Sequence, residues 1–153
     1  MDKEEFKEEL RRILRRDNSY AVEDWKHPIM LIHNGIDERH NGIDERKTAF
    51  SKINEAIKCA DLNGVYVYMK DECCLYVGKG KLIERLHSHY LESLPGCKLA
   101  KKWREFFGNK ENLGEMKIFW KEMCDRKAKV IEQMLTYVLE PKFYLKKKKD
   151  FKA

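Results

Sequence analysis

A chain of 153 residues, 42% hydrophobic and 38% charged, has room for one domain of ordinary size and not for two. That balance excludes a disordered acid-rich chain, and no apolar run approaches the roughly 20 residues a membrane span needs, so a soluble, intracellular protein is expected. The net charge of +6 is unevenly spread: residues 1–63 carry 12 basic against 14 acidic side chains, and residues 64–153 carry 20 against 12. A polyanionic partner for the second segment and a lysine-rich solvated surface both fit that split.

Residues 2–16 place Phe6, Leu10 and Leu14 four apart, with acids early and arginines late, which predicts an amphipathic helix aligned with its own dipole. Residues 27–32 (HPIMLI) form a short apolar run, either a strand or a segment that docks on the domain. The heptapeptide HNGIDER then occurs twice in succession, as His33–Arg39 and His40–Arg46. Each copy carries the Asn-Gly turn signal, so a tandem duplication in a surface loop is the plain reading. A histidine-bearing metal or partner site is the sharper one. Residues 47–60 predict a helix with Phe50, Ile53, Ala56 and Ile57 on one face, ended at Asn63-Gly64.

From Gly64 the period changes to two. Val65, Val67 and Met69 alternate with Tyr66, Tyr68 and Lys70, Asp71-Glu72 turns the chain, and Leu75–Gly78 returns it as a hairpin. A helix is predicted over Lys81–Leu91 with Leu82, Leu86 and Tyr90 inward, and a shorter one over Lys98–Phe107. Met116–Trp120 alternates as a third strand, and Asp125 is placed to cap a last helix that Pro141 stops near Leu139. The five cysteines, Cys59, Cys73, Cys74, Cys97 and Cys124, are odd in number and lack C-x-x-C spacing, so free thiols are expected. A zinc site from Cys97, Cys124 and a histidine stays open. The expected fold is α+β: a small three-stranded antiparallel sheet flanked by helices over 64–145, a helical extension over 1–63 and a basic tail over 146–153.

Several residues in this frame carry chemistry. Gly64-Val65-Tyr66 and Tyr76-Val77-Gly78 stand on the two strands of one hairpin. Arg85 and His89, four apart, share one helix face, rotated from Leu82 and Leu86. A solvent-facing arginine with a capping histidine is the bland alternative. Glu132 lies within the apolar stripe Ala128, Ile131, Leu135, Leu139, where a carboxylate needs a cation or a donor. A divalent ion or a salt bridge to Arg85 or Lys79 would serve.

Two triads ten residues apart, followed by Arg85, His89 and Glu132, resemble the GIY-YIG nuclease family, with Val in place of Ile in both triads. The resemblance runs from Gly64 to about Tyr144. Tyr76 to Arg85 is nine residues, and with the Gly78-Lys79-Gly80-Lys81 run it is similar to the branched-DNA nuclease branch. The resemblance implies a metal-dependent endonuclease that hydrolyses DNA with a single Mg²⁺ or Mn²⁺ on Glu132. It also implies that Tyr66 receives the proton of the attacking water, with Tyr76 holding water beside the ion. Arg85 would stabilise the phosphorane charge with His89 one turn on, and Lys79 would touch a phosphate.

Lys79, Arg85 and the ion are expected to lower the phenol pKa. Lys79, Lys81, Lys98, Lys101, Lys102 and Arg104 are the candidate DNA contacts, with Trp103 and Phe106 more readily placed in the core. The family's Asn about a dozen residues after the Glu has no counterpart here. A nucleic-acid binding module that keeps the fold without turnover is the alternative.

Overall fold

The computed structural model describes residues 1–14, 24–33, 43–94, 97, 101–112 and 114–143. Among them, five α-helices pack on a four-stranded antiparallel sheet. In chain order these are α1 (Lys3–Leu14), β1 (Ile29–His33), α2 (Ile43–Ala56), β2 (Asn63–Lys70), β3 (Cys73–Lys81), α3 (Leu82–Glu92), α4 (Lys101–Gly108), a 3₁₀ turn (Lys110–Asn112), β4 (Gly114–Glu122) and α5 (Asp125–Leu139). No described helix is long and apolar enough to cross a membrane.

The strand order is β1-β4-β2-β3, which corrects the expected three strands to four. The extra strand comes from the apolar run before the repeat. Ile29 and Leu31 are buried while Met30 and Ile32 are exposed, the period-two pattern of a strand with one covered face. It pairs with β4 from Ile29↔Ile118 to His33↔Gly114. The sheet therefore draws one edge strand from the segment read as an extension. Most of the HNGIDER pair lies outside the described residues; its second copy enters α2 at Ile43.

Alternation splits the core in two. Tyr66, Tyr68, Tyr76, Ile118 and Trp120 face one side, covered by Ile53 of α2 and Ile57 just past its end, Leu82, Leu86 and Tyr90 of α3, and Trp103 and Phe107 of α4. Val65, Val67, Val77 and Phe119 face the other, covered by Phe6 and Leu10 of α1, by Trp25, and by Ala128, Ile131 and Leu135 of α5. Phe6 stacks on Phe119 with ring centroids 4.2 Å apart. Helices on both faces explain why β2, the central strand of the hairpin, is buried from Gly64 to Met69.

A bulge after Tyr68 sets Tyr68 opposite Tyr76 and Met69 opposite Cys74, leaving Leu75 as the extra residue. Leu75 joins the tyrosine-side core as a result. Cys73 is exposed and Cys74 buried, and all five thiols are free. Helix α5 starts differently from expectation. Its N-cap is Cys124 with no side-chain cap, and Asp125 stands in the first turn. The helix ends at Glu140 in the left-handed conformation, φ 47°, just before Pro141.

Candidate active site

The register puts Tyr66 directly opposite Gly78, on the face that α3 and α4 cover. A Cβ at Gly78 would lie 2.4 Å from both Cζ and Oη of Tyr66, so the glycine of the second triad is the slot through which the Tyr66 phenol passes. The glycine of the first triad has a different task. A Cβ at Gly64 would lie 2.1 Å from the backbone oxygen of Lys121, so only glycine lets β2 approach β4 there. Gly80, at φ +132°, leaves room for the aliphatic stem of Arg85 to lie across the end of β3.

Around Tyr66 the groups converge. Its hydroxyl is 2.6 Å from Nε2 of His89. Ring centroids of Tyr66 and Tyr76 are 6.2 Å apart, and His89 sits 5.6 Å from the first and 5.3 Å from the second. The Arg85 guanidinium stands within electrostatic reach of both phenols. His89 departs from the helical pattern read in the sequence: it is buried, 2% exposed, and stacks on Trp103 at 4.4 Å. The cause is α4, which folds over that face of α3. The Trp103 indole N–H donates to the His89 carbonyl oxygen at 2.9 Å and holds the two helices together.

Glu132 stands on α5, the helix packed on the other face of the sheet. Lys79 binds Asp125 at 3.1 Å at the start of α5, and beyond its end the Lys142 N–H donates to the Cys74 carbonyl at 3.1 Å. These two anchors run α5 antiparallel to the edge strand β3, with Glu132 halfway along the helix. Glu132 is half-buried on the flank of the stripe formed by Ala128, Ile131 and Leu135. Its charge pushes up both the Tyr66 and the Tyr76 phenol, so the carboxylate stands within electrostatic reach of the cluster.

Burial dominates the electrostatics. It raises the Tyr66 phenol well above its ordinary value and raises Tyr76 as well, with Arg85 opposing both shifts. The expected lowering is therefore reversed in direction, because neither phenol is open to solvent. His89 is held below the usual histidine range by burial, against the pull of Glu92, and is neutral at neutral pH.

The remaining candidates lie elsewhere. Lys79 alternates to the face opposite Tyr66, where its ammonium meets Asp125 instead of the phenols. Lys81 is exposed at the end of β3. On α4, Lys101 and Lys102 are exposed and Arg104 half-buried, while Trp103 is core; Lys98 lies outside the described residues. Two contributors escaped the sequence reading. Trp103 packs on His89 from a separate helix, and Glu92 lies one turn past His89 with Oε2 3.9 Å from Nδ1. The second had a local signal, the i, i+3 spacing.

For a hard cation the candidate carboxylate is Glu132, since Glu92 stands on the far side of His89 from Tyr66. Among the described residues no group of three His, Cys, Asp or Glu side chains is placed to hold a metal. That donor set fits a largely hydrated ion shared with a phosphate and does not fit a protein cage. No family model, curated protein or solved structure matches this chain.

Proposed function

We propose that the protein is a divalent-metal-dependent nuclease of the GIY-YIG type that hydrolyses DNA phosphodiester bonds at the Tyr66 cluster. The observation that carries this reading is the 2.6 Å hydrogen bond between Tyr66 and His89 beside the guanidinium of Arg85. A hydroxyl, a neutral base and a fixed cation are what water attack on a phosphodiester requires.

The buried phenol is too weak an acid to rest as a phenolate, so Tyr66 and His89 act together. The attacking water gives its proton to the Tyr66 oxygen as the Tyr66 proton passes to Nε2 of His89. The water oxygen forms the new bond to phosphorus, the bond to the leaving oxygen breaks, and that oxygen takes a proton from solvent. Arg85 neutralises the charge that builds on the phosphoryl oxygens. Glu132 would hold the ion, Mg²⁺ or Mn²⁺, whose charge offsets that of the phosphate.

The second reading, a nucleic-acid binding module without turnover, is favoured by the burial of Tyr66, which is 0% exposed. One experiment separates the two: plasmid, single-stranded and branched DNA incubated with the full chain and Mg²⁺ or chelator. Cleavage with Mg²⁺ alone is expected. Arg85→Ala should slow it on the order of 10²-fold or more, the loss of one charge-stabilising group. Glu132→Ala should abolish it while leaving DNA affinity nearly intact. Binding without cleavage under every condition would establish the module instead.

A further inference from the structure

The hydrogen-bond inventory around His89 singles out a residue that lies outside the motif. His89 Nε2 is 2.6 Å from the Tyr66 oxygen, and Nδ1 is buried with no hydrogen-bond partner. The nearest charged group on the Nδ1 side is the Glu92 carboxylate, one turn further along α3 at 3.9 Å. A neutral imidazole carries one proton, so it donates from one ring nitrogen and accepts at the other. Were that proton on Nε2, Nδ1 would turn a lone pair toward a carboxylate. With the proton on Nδ1, the groups are matched: the phenol donates to Nε2, and Nδ1–H points at negative charge.

We propose that Glu92 is the positioning residue of the site, holding His89 in the Nδ1–H tautomer so that Nε2 is free to take the Tyr66 proton. The geometry alone assigns the tautomer; the role as a base rests on the nuclease reading above. When the proton crosses from the Tyr66 oxygen to Nε2, the O–H bond breaks and an N–H bond forms, giving an imidazolium while the Tyr66 oxygen takes the proton of the attacking water. Glu92 flanks the imidazolium, so the new charge meets an opposite one already in place. At 3.9 Å the carboxylate is too far for a direct hydrogen bond and acts through its charge. This is the third-group logic of a catalytic triad, with tyrosine as the first member.

Every neighbouring element bears on the titration of His89. Tyr66 and Tyr68 face it from β2, Tyr76 from β3, and Arg85 and Glu92 from its own helix, while α4 presents the uncharged Trp103. Glu92 is the one negative group among them at neutral pH. Removing it should shift the tautomer and make His89 harder to protonate.

The test is histidine-side-chain ¹⁵N NMR on the full chain, with the His89 signals assigned by their loss in His89→Gln. The wild type should show a protonated Nδ1 and a bare Nε2. Glu92→Leu should move the proton toward Nε2 and shift the His89 titration to lower pH, while Glu92→Asp, which keeps the negative charge, should retain the wild-type tautomer. Glu92 is about one-third exposed, so neither variant strips the core. A wild-type His89 protonated on Nε2, or a Glu92→Leu spectrum and titration like wild type, would overturn the proposal.

In cleavage assays Glu92→Leu should lower kcat on the order of 10²-fold with KM unchanged, and Glu92→Asp should retain most of the wild-type rate. A tautomer shift in a protein that never cleaves DNA would leave the positioning role standing and remove the nuclease reading. Retention of kcat by Glu92→Leu would remove the positioning role alone.

Discussion

At the scale of single residues, the two glycines of the paired triads are spacing devices. Gly78 is the opposite number of Tyr66 in the ladder, and its missing side chain is the space the phenol fills. Gly78→Ala should therefore force the Tyr66 ring off its present path, because Tyr66 is walled in by Tyr68, Tyr76 and His89. Overpacking of this kind costs about 1–3 kcal/mol. Urea unfolding of Gly78→Ala should show that loss, and ¹⁵N spectra should show the Tyr66–His89 hydrogen bond perturbed. A variant with wild-type stability and an unchanged His89 signal would mean that the phenol does not pass through this slot.

At the scale of elements, the meeting of β3 with α5 decides where Glu132 stands, and the Lys79–Asp125 pair marks one end of that meeting. The pair is mostly exposed on the Asp125 side, so it should contribute about 0–1 kcal/mol to stability. Its larger effect falls on Lys79, whose charge is occupied by a carboxylate. Asp125→Ala should leave thermal stability nearly unchanged and strengthen duplex binding by freeing Lys79 for a phosphate. Fluorescence anisotropy measures this directly; unchanged or weakened affinity would show that Lys79 takes no part in DNA contact.

The same elements show what the sequence made legible. The β2–β3 hairpin was readable because its alternation is local, and the sharp stop before Pro141 was readable from one residue. Strand β1 was ambiguous, since a short apolar run fits a strand or a docking segment equally until β4, more than 80 residues later, pairs with it. That Arg85 and His89 share a face followed from the helical period, while Tyr66 was set beside them by the motif resemblance. The burial of His89 did not, because it depends on Trp103 arriving from α4. Lys79 was read as a phosphate contact, and its partner Asp125, 46 residues away, could not be seen locally.

At the scale of the whole molecule, the segment before residue 64 is structural material for the sheet that holds the site. Phe6, Leu10 and Trp25 cover one face, and Ile29 and Leu31 extend the other. Phe6 and Leu10 are 1% and 0% exposed, and loss of large buried side chains costs several kcal/mol each, roughly 2–5 for a truncation to alanine. Deleting residues 1–33 should therefore abolish cooperative thermal unfolding, as followed by circular dichroism. A truncated chain that melts like wild type would mean that the segment after residue 33 folds alone. The acidic excess of this segment lies partly along α1, where Arg11 pairs with Glu8 and Arg12 with Glu9, and Glu72 of the β2–β3 turn joins Glu4 and Glu5 in lining a groove there.

The central claim is that the Tyr66 hydroxyl moves a proton during phosphodiester hydrolysis, and Tyr66→Phe removes that oxygen while keeping the ring that fills the slot at Gly78. The decisive measurement is single-turnover cleavage of DNA with Mg²⁺ by wild type and Tyr66→Phe, with melting temperatures showing both folded. Cleavage by the wild type and a loss of about 10²-fold or more in the variant is the predicted result. A Tyr66→Phe protein that cleaves at the wild-type rate would contradict it.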